Sequence, residues 1–80
     1  MLVNSMDEGY ILSNKFRRTI FDGLMLGETS IDRIAKKHRI IRSVAIKIAD
    51  DFIKGGLLEK KGNKYILTEK GEKIAENIKG

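Results

Sequence analysis

The sequence predicts a mostly helical α+β domain, and three observations carry that expectation. Apolar residues recur at helical spacing in three successive stretches between residues 13 and 54. A Gly62-Asn63 pair then separates two short runs suited to strands, and a capped amphipathic stretch follows them. Eighty residues suffice for one domain. Residues 13–80 form its expected body, preceded by an N-terminal segment, residues 1–12, that lacks a sustained period. Within that segment Tyr10-Ile11-Leu12 is apolar enough to act as an anchor after a flexible start.

The first helix is expected after Ser13, a suitable N-cap, with Phe16, Ile20 and Leu24 recurring every four residues and Phe21 widening the stripe. Gly27 can end it. Glu28-Thr29-Ser30 offers a short extended link, and Thr29 or Ser30 can cap a second helix of about two turns. There Ile31, Ile34, Ala35 and His38 share one face. After a break near Arg39 and Ile40, Ala45, Ile48, Ala49 and Phe52 mark a third helix over about 42–54, closed by Gly55-Gly56. Leu57–Lys61 and Lys64–Leu67 flank Gly62-Asn63, whose residues tolerate the positive φ of a primed hairpin turn. Thr68 caps the last helix, with Glu69 and Glu72 at its positive end and Ile74 and Ile78 facing inward.

Composition removes several classes of function. With no Cys and a single His, the chain has no disulfide framework, no cysteine nucleophile and no Cys/His metal site. No P-loop, dinucleotide fingerprint or catalytic triad is present, so neither an enzyme nor a cofactor is expected. His38 reads as a partly buried packing residue, and Phe16, Phe21 and Phe52 read as core. Five aromatic residues placed at helical and strand spacing make no platform for stacking single-stranded bases. Met1-Leu2-Val3 leads into polar Asn4-Ser5 and no apolar run approaches the roughly 20 residues a membrane span needs, so a cytoplasmic location without membrane contact is expected.

Charge is distributed unevenly. The net charge is +5, but from Arg33 to Lys64 ten Lys or Arg residues stand against Asp50, Asp51 and Glu59, giving +7. Residues 1–32 sum to −2 and residues 65–80 to zero, so the whole basic excess lies in the second and third helices and the hairpin.

Two short helices joined by a tight turn, preceded by a helix and followed by a hairpin, is the order of a winged helix-turn-helix with a three-helix core, a two-stranded β wing and a C-terminal helix. Three stretches carry a closer likeness: Ile20-Phe21 through Leu24 to Gly27; Ile34–Ile40 followed by Arg42-Ser43; and Gly56–Lys60 running to Tyr65–Gly71. With these the chain resembles winged helix-turn-helix transcriptional regulators of the MarR and ArsR type, especially small archaeal members. The resemblance covers about residues 13–76 and implies that the third helix enters the major groove of double-stranded DNA while the hairpin lies along the flanking backbone.

On a helical wheel with Ala45, Ile48, Ala49 and Phe52 inward, the opposite face centres on Ser43, Lys47, Asp50 and Lys54. The N-terminal turns of such a helix read bases, which makes Arg42, Ser43, Ile46 and Lys47 the candidate readers. Arg42 or Lys47 suits guanine, and Ile46 suits a thymine methyl. Lys54 adds charge farther along, and Lys60, Lys61 and Lys64 bracket the hairpin turn where ammonium groups reach phosphates. The plain alternatives are a solvated helix face and a lysine-guarded hairpin.

Some positions depart from the family pattern. Ile41 stands where a Ser or Thr usually caps the recognition helix, with Ser43 a substitute, and Arg39 stands where the turn often has Gly. Asp50 and Asp51 oppose phosphate, although Asp50 is spaced to pair with Lys47 or Lys54. An alternative use of the same fold is a protein-protein interaction module of transcription or replication machinery, docking through Ile41, Ile46 and Ile66. A homodimer is also expected, since one short recognition helix reads few base pairs, with Tyr10, Ile11, Leu12, Ile74 and Ile78 as its candidate surface; the alternative is that both ends of the chain pack on their own domain.

Overall fold

Helices in this chain begin and end where side chains or tight turns satisfy the backbone groups that a helix leaves unpaired. The computed structural model describes residues 7–79. Its elements are α1 (Glu8–Leu12), α2 (Lys15–Met25), α3 (Ile31–His38), α4 (Arg42–Lys54), β1 (Leu58–Lys61), β2 (Lys64–Leu67) and α5 (Glu69–Lys79). The fold is α+β and mostly helical, with one two-stranded antiparallel hairpin. Among the described residues no helix is long and apolar enough to cross a membrane.

The short α1 had no counterpart in the periodicity, because five residues are too few to display one. Asp7 nucleates it by accepting a hydrogen bond from the Tyr10 N–H at 3.1 Å. Ile11 is fully buried, so the expected anchor is part of the body of the domain. Residues 1–6 of the N-terminal segment lie outside the described residues. Asn14 rather than Ser13 caps α2, its Oδ1 accepting from the N–H groups of Phe16 and Arg17 at 2.9 and 3.0 Å. Ser13 instead closes α1 and donates its hydroxyl to the Tyr10 carbonyl.

The two ends that shape the turn region share one geometry. After α2, Gly27 takes φ 99° while its N–H donates to Leu24 O and the Glu28 N–H donates to Gly23 O. After α3, which Ser30 caps, the N–H groups of Arg39 and Ile40 donate in the same way to Lys36 O and Ala35 O. Both are paired 5→2 and 6→1 closures, with the left-handed residue at the position that favours glycine. In the second it is Arg39, at φ 57° and ψ 41°. Arg39→Gly is therefore expected to raise stability by about 0.5–1 kcal/mol, the left-handed penalty outweighing the greater entropy of an unfolded glycine. Urea denaturation checks it, and a lower midpoint would show that the Arg39 side chain contributes more than its backbone costs.

The core gathers around Phe52 of α4, which meets Phe21 and Tyr10 edge-on at centroid distances of 5.8 and 6.4 Å. Around them pack buried residues of every helix, among them Ile11, Ile20, Leu24, Ile34, Ile48 and Ile74. Two expectations fail at helix ends. Phe16 is 44% exposed, because it sits in the first turn of α2, where the stripe runs beyond the layer beneath it. His38 is exposed rather than partly buried, since the face it shares with Ile34 opens there onto the cleft between α2 and α3.

In the hairpin Leu58 pairs with Leu67, Lys60 with Tyr65 and Lys61 with Lys64. Of the two turn residues only Gly62 has positive φ, 60°, the pattern of a II′ turn with glycine first. The Tyr65 N–H donates to the Thr29 carbonyl at 2.9 Å, fastening β2 to the extended link between α2 and α3. Thr68 starts α5 as expected, accepting from the Gly71 N–H and donating to the Gly56 carbonyl.

Candidate nucleic-acid interface

Burial on α4 follows the wheel. Ala45, Ile48, Ala49 and Phe52 face the core, while Ser43, Lys47, Asp50 and Lys54 are exposed on the opposite side. Ile41 precedes the helix without a side-chain cap, and Ser43 does not replace it. The first intrahelical bond at this end runs from the Ala45 N–H to the Ile41 carbonyl, so the N–H groups of Arg42, Ser43 and Val44 point out of the helix without intrahelical acceptors. That end carries the positive pole of the helix.

Arg42 is oriented by a residue outside its own helix. Its Nε donates to Oδ1 of Asp32, in the first turn of α3, at 2.8 Å, with both side chains more than half exposed. Because the bond uses Nε, the two terminal nitrogens keep their donors free for a bidentate acceptor. Lys47 is tied along its own helix to Asp51, at 3.1 Å, and not to Asp50. Asp50 forms no ion pair with Lys47 or Lys54. Lys54 is exposed but lies about 18 Å along the axis from Arg42, in the last turn.

The hairpin lysines divide between two faces. Lys60 shares the inward side with buried Tyr65, and its Nζ stands 5.4 Å from the ring centroid, a cation–π distance. Lys61 and Lys64 are opposite one another on the outer side at the tip, where two like charges repel unless an anion or solvent intervenes. A hollow of about 270 Å³ joins the hairpin to the helices: Arg42 and Ile46 line it from α4, Lys60, Asn63 and Tyr65 from the hairpin, Asp32 from α3 and Ser30 from the cap before α3. Of the candidate residues, the structure therefore groups Arg42, Ile46 and Lys60, and leaves Ser43, Lys47, Lys54, Lys61 and Lys64 exposed outside that hollow. Asp32 and Asn63 escaped the sequence reading, since a pair ten residues apart across a turn leaves no periodic signal.

The remaining candidate surfaces change more. Ile46 is half-buried against the core, and Ile66 lines a different groove with α5, so Ile41, Ile46 and Ile66 do not share one hollow. Ile11 and Ile74 are buried within the chain itself, which removes them from any surface between copies. Among the described residues no cluster of three or more His, Cys, Asp or Glu side chains could hold a metal ion. Comparison with known proteins returns no matching family, no matching curated protein and no matching solved structure.

Proposed function

We propose that this chain is a winged helix-turn-helix domain that binds double-stranded DNA in a sequence-specific manner and acts as a transcriptional regulator. In this reading α3 and α4 form the helix-turn-helix, α4 enters the major groove and the β1–β2 hairpin is the wing. The observation that carries it is the hollow at which Arg42 and Ile46 of α4 meet Lys60 and Asn63 of the hairpin. A helix N-terminus and a hairpin facing one concavity suit a groove and its adjoining backbone, and the +7 stretch from Arg33 to Lys64 spans both elements. The outward N–H groups of the uncapped first turn of α4 add donors for phosphate oxygens. A two-fold pair of copies would double the number of base pairs read.

Ile41, 70% exposed beside the first turn of α4, favours a second reading as a protein-docking module. Titrating a labelled duplex across a salt series separates the two. Phosphate contacts predict an affinity that falls by orders of magnitude between about 50 and 200 mM salt, whereas an apolar interface changes little. Absence of duplex binding at about 50 mM salt rejects the DNA reading. Selection of preferred sequences then allows a second check: Arg42→Ala is expected to cost about 1–3 kcal/mol on the preferred site and to relax discrimination at one or two base pairs. An equal loss on random duplex would make Arg42 a backbone contact.

A further inference from the structure

We propose that the groove between the end of α2, strand β2 and helix α5 docks an extended, basic segment of a partner protein by adding a strand beside Leu67. The groove measures about 510 Å³, within the range of sites that enclose ligands. Its apolar lining includes Leu24, Met25, Leu67 and Ala75. Its rim is acidic, with Glu28 on the α2–α3 link and Glu72 and Glu76 one turn apart on α5, against a single base, Lys79. In a chain of net charge +5 this is a local reversal of sign. Glu28 is already held, its Oε2 accepting from the Thr29 and Ser30 N–H groups. Glu72 and Glu76 are exposed, and among the described residues no cation lies within ion-pair distance of either.

The backbone supplies the second half of the argument. In a two-residue hairpin the closing pair, Lys61 and Lys64, exchanges the ladder hydrogen bonds, so the polar groups of Tyr65 and Leu67 point away from β1. The bond from the Tyr65 N–H to Thr29 and that from the Thr68 N–H to the Leu57 carbonyl both obey this alternation. Thr29 covers the edge only at Tyr65. At Leu67 neither the N–H nor the carbonyl has a protein partner among the described residues. One residue of an added strand can exchange two hydrogen bonds there. The side chains of the added strand that face the helices meet the apolar lining and its acidic rim together, which favours a segment that combines apolar residues with Lys or Arg. This inference is independent of the DNA reading, since it uses neither α4 nor the hairpin tip.

The test is an amide NMR titration of the full chain with a short synthetic peptide of alternating Lys and Val, beside a peptide of alternating Glu and Val. Saturable shifts centred on Leu67, with slowed exchange of its amide, are expected from the basic peptide alone. Glu72→Gln combined with Glu76→Gln should weaken that binding about tenfold while lowering the melting temperature by no more than a few degrees, the cost of removing the Glu72 charge from the positive end of α5. The proposal is overturned by an absence of localised shifts at about 1 mM peptide, by equal binding of the acidic peptide, or by shifts centred on α4 or the hairpin turn. Shifts at the groove that appear on concentrating the protein alone would also overturn it, by giving the groove to a second copy.

Discussion

In the proposed DNA reading, replacing Lys60, Lys61 and Lys64 together with alanine is expected to weaken binding to every duplex about equally and to make the log–log salt slope shallower by up to about 3 units. The reason is that each ammonium ion placed on a phosphate releases about one counterion, and phosphates carry no sequence information. The loss is therefore largest at low salt and shrinks by well over tenfold between about 50 and 200 mM. The division of these lysines between two faces refines the expectation. Lys61 and Lys64, side by side at the exposed tip, should account for about two of those units. Lys60, over the Tyr65 ring and beside Arg42 in the hollow, should account for the third. An unchanged slope in the triple variant would remove the hairpin from the interface, and a loss confined to one preferred sequence would make it a reader instead.

The largest effect on stability is expected at Gly71. This residue lies in the first turn of α5, where alanine is the better helix former by about 1 kcal/mol, so local propensity alone predicts a gain. The packing reverses the sign. A Cβ on Gly71 would land on the Leu57 carbonyl oxygen, a backbone atom that already accepts the Thr68 N–H and cannot swing aside, and would press on Leu67 Cδ2 at 3.2 Å. Relief requires α5 to move off the hairpin base. Gly71→Ala should therefore destabilise the domain by about 3 kcal/mol, enough to lower the melting temperature by roughly 10–20 °C in a chain this small. Thermal denaturation followed by circular dichroism reads it, and an unchanged or raised midpoint would mean that α5 is free to shift.

These cases show which parts of the molecule the chain announces. The third helix was legible to the residue because its stripe is long, buried along its whole length and closed by Gly55. The hairpin was legible because Gly62-Asn63 interrupts two short runs. Phe16 and His38 misled for one reason: periodicity reports which face of a helix a residue occupies, whereas burial also needs a neighbour opposite that level of the helix. The cap at Asn14 was displaced by one residue because Ser13 and Asn14 both carry a suitable side chain, and Ser13 was needed to close α1. At the candidate interface the wheel gave the exposed face of α4. It did not give the Asp32–Arg42 bond, the choice of Asp51 over Asp50 by Lys47, or the hollow shared with the hairpin, all of which depend on how separate segments meet.

The hydrogen bond from the Tyr65 N–H to the Thr29 carbonyl makes the hairpin answerable to the helices. A hairpin held only at its base would fray and reclose as an independent unit, and its amides would exchange with solvent at energies well below global unfolding. Here the strand is moored at mid-length to the link between α2 and α3, so the hairpin cannot detach without breaking its bond to that link. The Tyr65 amide is the natural gauge of that event. Its exchange rate measures how often the bond that holds β2 to the α2–α3 link opens.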